Sequence, residues 1–367
     1  MKIALLDPPS YSPAYDHHLA ASLGARGHEV ELITSPFAFG EPPRPEGYER
    51  RELFLPLSGR LVRRAPRSRL RLPLKALEYT PSIARLLLHL RRGRPDVVNV
   101  QWLPAGTRDL LWARRLPRPR VLTAHNVLPH EGEADVDERR HLYGAFDRVL
   151  VHTHRGVEQL ERFGVSAEHI VRIPHGTFDG PVEPPNGRTL LFFGLIRRYK
   201  GLDVLVRALP EVRDAKLVVA GDPLDAVEPI RQLAADLGVS DRVDWRLGYL
   251  PQQEVEALMR QSTIAVFPYR GGESASGALA TALGHGRPVV VTEALGEIVR
   301  AYGAGAVVPP DDPSALAHAI NELLDDPAEA FRGTQKAREA LSWSAIAEAH
   351  ERLYSELTAS IAAGDRD

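Results

Sequence analysis

Three segments of this sequence hold residue types that could handle a phosphorylated, hydroxyl-rich ligand. In the first, Arg197, Arg198 and Lys200 follow Phe193-Gly194 and precede Gly201, where a helix is expected to begin. Three cations beside a helix amino terminus can offset the charge of a diphosphate. The same residues also suit a solvated basic turn, and their chemistry alone does not choose. The second segment runs Pro268-Tyr269-Arg270-Gly271-Gly272-Glu273-Ser274-Ala275-Ser276-Gly277. Its small residues let backbone amides approach a ligand, and Glu273 can accept hydrogen bonds from hydroxyls. A lone carboxylate there is equally an ordinary helix cap. The third, Thr123-Ala124-His125-Asn126, closes an apolar run. His125 could bond sugar hydroxyls or help neutralise developing charge, although a single histidine at a strand end is commonly structural.

Short apolar runs position these segments. Strands are expected over 3–6, 30–34, 97–101, 121–125 and 149–152 in the first half, with helices over 16–26, 81–92 and 155–163. The second half repeats the alternation, with strands over 189–193, 216–220, 243–247, 264–268, 288–291 and 306–308. Helices there are expected near 201–209, 228–237, 253–261, 277–283 and 313–324. Runs that are apolar throughout indicate parallel sheets covered on both faces. Strand–helix alternation in both halves predicts two doubly wound α/β domains. The stretch Gly180-Pro181-Val182-Glu183-Pro184-Pro185-Asn186-Gly187 reads as the linker. The expected division is thus 1–180 and 186–345, with 346–367 as a closing helix. Ligands of such sheets sit beyond the carboxyl ends of strands, where all three segments fall.

A length of 367 residues exceeds one ordinary core and agrees with two domains. There is no cysteine, so disulfides, thiolate metal sites and cysteine nucleophiles are excluded. The net charge of -2 argues against a dedicated nucleic-acid binder. It conceals an asymmetry: residues 1–184 carry 27 Lys+Arg against 22 Asp+Glu, and residues 185–367 carry 19 against 26. Much of the first excess lies from Arg60 to Lys75, an acid-free stretch in which Leu61, Val62, Leu70, Leu72 and Leu74 interleave with the basic residues. Pro66 and Pro73 predict a loop or short amphipathic pieces. Such a segment can rest on an anionic leaflet at ~1 kcal/mol per basic residue, or be a solvated loop. The amino terminus, Met1-Lys2-Ile3-Ala4-Leu5-Leu6-Asp7-Pro8-Pro9, has an apolar run too short for a signal peptide. The expected setting is cytoplasmic.

Three patterns do not carry chemistry. Asp135-Val136-Asp137 has the spacing of a metal-holding Asp-x-Asp, but lies in the acidic run 131–138 with no apolar strand leading into it, and reads as a solvated loop. His152 and His154 alternate on an expected strand and so face opposite ways. Gly303-Ala304-Gly305 precedes a strand and is no dinucleotide fingerprint.

Taken in order, the segments resemble the retaining GT-B glycosyltransferases of family four. The resemblance spans nearly the full length. It includes Gly27-His28-Glu29-Val30, Ile173-Pro174-His175-Gly176, Phe193-Gly194 to Lys200-Gly201, Val219-Ala220-Gly221-Asp222, Leu247-Gly248-Tyr249 and Gly286-Arg287-Pro288-Val289-Val290. It implies two Rossmann-like domains facing across a cleft, and transfer of a sugar from a nucleotide diphosphate donor with no essential metal. By matched position it implies that His125 is the histidine at the donor sugar and Lys200 the diphosphate lysine. Glu273 becomes the first glutamate of a Glu-x7-Glu motif, and Ser276 and Gly277 offer backbone amides. Gly194 and Gly221 line the donor loops, and Leu247 and Tyr249 border the base. Ser10, Tyr11 and Asn126 are expected on the acceptor side.

The sequence departs from the family pattern at three places. The arginine usually following the glycine is Leu195, with Arg197 two residues later. The second motif glutamate falls at Thr281, which weakens or reassigns the ribose contact. The paired glycines of the first loop are replaced by Pro8-Pro9-Ser10-Tyr11-Ser12-Pro13. The expected function is a hexosyltransferase acting on a glycan or lipid-linked acceptor. A nucleotide-sugar epimerase or hydrolase of the same fold is the first rival, and a non-catalytic nucleotide-sugar binder the second. An NAD-dependent oxidoreductase ranks last.

Overall fold

The computed structural model describes residues 1–37, 40–64, 71–127, 135–271 and 275–364. The chain forms two compact units, Met1–Pro174 with Trp343–Asp367, and His175–Ser342. The first division therefore lies ahead of the proline-rich stretch 180–187, and the return lies ahead of residue 346.

The first unit holds seven parallel strands: β1 (Lys2–Asp7), β2 (Glu29–Thr34), β3 (Glu49–Glu52), β4 (Val97–Val100), β5 (Arg120–Thr123), β6 (Arg148–Val151) and β7 (Ile170–Arg172). Their order is β3-β2-β1-β4-β5-β6-β7, and Leu5 stands opposite both Leu32 and Asn99. Helices α1 (Pro13–Ala25), α2 (Pro56–Arg64), α3 (Arg71–Gly93), α4 (Leu110–Ala113), α5 (Val136–Tyr143) and α6 (His154–Arg162) cover the sheet. The chain order reverses between β1 and β4, so the loops after these strands diverge to opposite faces and leave a crevice at their carboxyl ends.

Six parallel strands make the second sheet: β8 (Thr189–Phe193), β9 (Lys216–Gly221), β10 (Val243–Leu247), β11 (Ile264–Phe267), β12 (Val289–Thr292) and β13 (Gly305–Val308). The order is β10-β9-β8-β11-β12-β13, with the reversal between β8 and β11. Leu190, Phe192, Val219 and Val266 enter one buried cluster, while Leu191, Ala220, Ala265 and Phe267 enter another on the opposite face. Because successive strand residues alternate faces, burial of both faces requires uninterrupted apolar runs. Helices α7 (Leu202–Ala208), α8 (Glu228–Asp236), α9 (Gln252–Gln261), α10 (Gly277–Gly284), α11 (Gly296–Tyr302), α12 (Pro313–Asp325) and α13 (Ala328–Ala340) form the two covering layers. The last helix, α14 (Trp343–Gly364), belongs to the first unit. There Asn99 Nδ2 donates to the Tyr354 hydroxyl at 2.7 Å, and Trp343 stacks on His18.

Several expectations change. Pro73 breaks no helix: it sits in the first turn of α3, where a missing N–H costs nothing. Helix α3 also starts ten residues before the expected position and carries Pro81 in its interior. Pro66, Arg67, Arg69 and Leu70 lie outside the described residues. Asp135 is no solvated loop residue: it caps α5, accepting from Glu138 N at 2.9 Å. The closing helix α14 runs from Trp343 to Gly364, and residues 365–367 lie outside the described residues. His152 follows β6 and His154 opens α6, so the two do not share a strand. Strand β3, Glu-Arg-Arg-Glu, had no apolar signal because it is a sheet edge with charges turned outward.

Candidate functional site

At the reversal point of the second sheet, the loop after β8 begins at Gly194, whose φ of +111° is one that side chains rarely adopt. Gly194 N donates to Ala220 O at 3.0 Å, and Gly248 N donates to Gly221 O at 3.0 Å. A Cβ on Gly221 would stand 1.9 Å from Gly194 O, so the two loops approach as closely as backbone permits. Gly194, Gly221 and Gly248 are thereby brought together, with Leu247 and Tyr249 exposed at the rim.

Residues 198–200 form a short 3-10 turn that delivers Lys200 inward, 8% exposed. Its Nζ lies 5.1 Å from the Tyr269 ring centroid and 3.4 Å from where a Gly194 Cβ would be. Among the described residues, no carboxylate forms an ion pair with Lys200 or with half-buried Arg197. Gly201 then turns the chain into α7 with φ +69°; a Cβ there would meet Pro268 O at 2.0 Å.

The loop after β11 is tied to this turn. Arg270 N donates to Tyr199 O, and its guanidinium makes a bidentate pair with Asp203 at 2.8 and 2.6 Å. A third bond, to Asp311 Oδ1 at 2.6 Å, completes the clamp. Burial works against ionisation of Asp203, but the Arg270 hydrogen bonds outweigh it and hold the carboxyl below its ordinary range. The clamp therefore fixes the loops after β8 and β11 at once. Beneath them Tyr269 is fully buried, with its hydroxyl 3.1 Å from Ser276 Oγ. Ser276 also accepts from Leu279 N, capping α10. Among the described residues, a Cβ at Gly277 would meet only Phe178 Cε2, at an ordinary 3.7 Å, so packing against them does not require glycine there. Thr281 donates its hydroxyl to Gly277 O at 2.8 Å. Glu273 lies outside the described residues.

In the first unit, His125 leaves β5 beside the loops from β1 and β4. Its ring stacks on Trp102 at 4.8 Å and meets Tyr15 edge-on at 4.8 Å. Both ring nitrogens face protein atoms: Nε2 is 3.2 Å from Gln101 Oε1, and Nδ1 is 3.2 Å from His152 Nε2. Ser10 is buried with φ +56°, and Tyr11 is exposed, packing edge-on against Trp102 at 5.5 Å. Asn126, with Gln101, Trp102, His125 and Arg139, lines a cavity of about 150 Å³. Tyr269, Asp203, Gln101, Trp102 and His152 were not singled out from sequence as members of these sites. Only their place just after a strand, or at the start of the next helix, could have flagged them.

Residues 15–177 match the family described as Glycosyltransferase Family 4, and residues 187–326 match Glycosyl transferases group 1. A GDP-mannose:glycolipid 4-beta-D-mannosyltransferase of Xanthomonas campestris is 30% identical over 256 residues, 65% of this chain and 68% of that protein. The chain belongs to glycosyltransferase family 4. A D-inositol 3-phosphate glycosyltransferase of Xylanimonas cellulosilytica is 28% identical over 401 residues, covering 96% of this chain and 94% of the relative. Among solved structures, sucrose-phosphate synthase from Thermosynechococcus elongatus superposes with a TM-score of 0.77 at 21% identity, covering 98% of this chain and 99% of that one. Anabaena HepE, solved in complex with UDP, gives 0.73 at 18%, covering 97% and 100%. These likenesses establish the GT-B fold: two Rossmann-like α/β units, each with a parallel sheet.

Proposed function

We propose that this family 4 glycosyltransferase is a hexosyltransferase that uses a nucleotide diphosphate sugar and retains the anomeric configuration. The observation that most supports this is Lys200, a nearly buried cation without a carboxylate partner among the described residues, held at the β8–β11 reversal. A donor diphosphate would supply that partner, and Lys200 with Arg197 would offset the charge that grows on it as the sugar leaves. Gly277, where packing against the described residues does not require glycine, leaves room for phosphate oxygens near the first turn of α10. Glu273 and His125 are assigned to orienting the sugar, Leu247 and Tyr249 to bordering the base. Retention follows from displacement on one face, the leaving phosphate taking the acceptor proton. No metal or cofactor is assigned a role.

The acceptor is proposed to be a glycan or lipid-linked sugar, with Ser10, Tyr11 and Asn126 on its side. No helix among the described residues is long and apolar enough to cross a membrane. Helix α2 exposes Leu57 and Arg60, and α3 exposes Leu77 near Lys75, an arrangement suited to peripheral contact with an anionic inner leaflet. The test is a thermal-shift screen of GDP-, UDP- and ADP-sugars, followed by nucleotide release with and without membrane extract. Acceptor-dependent release with an axial or equatorial product bond matching the donor supports the reading. Complete donor conversion without acceptor supports an epimerase or hydrolase and overturns it.

A further inference from the structure

The hydrogen bonds behind His125 leave little freedom for its protons. His152, 1% exposed at the end of β6, places Nδ1 2.9 Å from Ile173 O. A carbonyl oxygen only accepts, so His152 Nδ1 carries a proton. Burial pushes the His152 imidazole down to about 4, even though the Ile173 bond acts the other way, so the ring is neutral near neutral pH. Its Nε2 is then a bare acceptor. The nitrogen facing it at 3.2 Å is His125 Nδ1, and two lone pairs cannot be turned on each other, so His125 Nδ1 must donate.

We infer that His152 is a positioning residue that holds His125 in its Nδ1–H form, and that Gln101 completes the arrangement at the other nitrogen. A neutral His125 in this form has an acceptor at Nε2, which requires the Gln101 amide to present its NH2 there. A His125 imidazolium instead donates to Gln101 Oε1. Gln101 is 1% exposed, and with Oε1 toward His125 its Nε2 is buried without a partner, a penalty that rotating the amide about its last bond relieves. Either way the ring is held at both nitrogens, with Trp102 stacked on one face and Tyr15 packed perpendicular to it. Among the described residues, Tyr15 from α1 packs on both rings, and His350 from α14, itself held neutral by burial, lies close enough to act on His152. This places the pair in an unusual state, because a free neutral imidazole favours Nε2–H.

Its consequence for sugar transfer rests on the function proposed above; the tautomer itself does not. Long-range proton–nitrogen correlation spectra of the 15N-labelled full chain at pH 7.5, without ligand, should show His125 protonated at Nδ1. His152→Phe should shift His125 to the Nε2–H form and lower kcat roughly 10- to 100-fold, with donor KM within about threefold, as expected for a misaligned group. His152→Gln, whose amide can donate to Ile173 O and accept from His125, should restore the tautomer and much of kcat. An Nε2–H His125 in the unmodified protein, or an unchanged His125 spectrum in His152→Phe, overturns the inference. If no donor is turned over while the spectra behave as stated, the transferase reading fails and the positioning of His125 stands.

Discussion

Replacing Lys200 by methionine separates binding chemistry from packing. Methionine keeps an unbranched side chain of similar length and removes the charge. A unit charge about 4 Å from a phosphate oxygen is worth roughly 4 kcal/mol at an effective dielectric constant of ~20. Lys200 is 8% exposed, so solvent screens little of this. Losing one preorganised partner of a developing anion costs ~10²–10³ in rate, about 2.7–4 kcal/mol, and kcat/KM should fall by that factor. Stability should hardly move. The lost cation–π contact with Tyr269, ~2 kcal/mol at so buried a site, is largely offset by a sulfur–aromatic contact of ~0.3–1.5 kcal/mol. For a unit of this size 1 kcal/mol corresponds to ~2–4 °C, so the melting temperature should stay within about 4 °C. The assay is nucleotide release at saturating acceptor, paired with melts in the presence and absence of UDP and GDP. The nucleotide-induced rise in melting temperature should also shrink. Activity within about threefold of the parent would refute the site assignment, since a removed anion partner costs far more. A variant that melts far earlier and loses activity only in proportion would make Lys200 a packing residue.

Four further outcomes follow from the same geometry. Gly201 and Gly238 share φ +69°, but only Gly201 would place a Cβ against backbone, so Gly201→Ala should destabilise by at least ~2 kcal/mol more than Gly238→Ala in urea unfolding. Equal losses would count against the close approach to Pro268. Asp16 is buried, and its carboxyl is pushed well above the ordinary range, first by desolvation and then by the neighbouring Asp7 carboxyl. A carboxyl raised in this way contributes stability at low pH that is lost as pH rises from the ordinary carboxylate range through the raised value. Asp16→Asn should therefore gain stability over the parent at pH 8 and lose that gain toward pH 4; a pH-independent difference would contradict the raised carboxyl. Tyr354→Phe strands the buried Asn99 amide and should cost ~1–3 kcal/mol in the first unit, read by denaturant unfolding. Arg60→Ser with Lys75→Ser should weaken binding to anionic but not neutral liposomes, by ~1 kcal/mol per charge; unchanged flotation would dismiss the membrane contact.

What the linear order of residues determined here was the alternation of elements and the position of chemistry within it. Short apolar runs such as 264–267, set between helical patterns, read as strands covered on both sides, because each contains residues for two opposite faces. Loops that follow such strands must emerge at the carboxyl edge, so Lys200, Ser276 and His125 were placeable without coordinates. Edge strand β3 and the proline-bearing start of α3 were not, since neither has an apolar pattern or a helix signal that survives a local reading.

Only the tertiary structure decided which neighbours these residues meet. Arg270 reaches Asp203 across 67 positions, and His125, Gln101 and His152 come from three different strand ends. Nothing in residue type or spacing marks such partners, because the sheet order that joins them is set by packing and not by adjacency in the chain. For the same reason the protonation of His125 is a property of the folded unit: it depends on the Ile173 carbonyl, one side chain removed from the ring it governs.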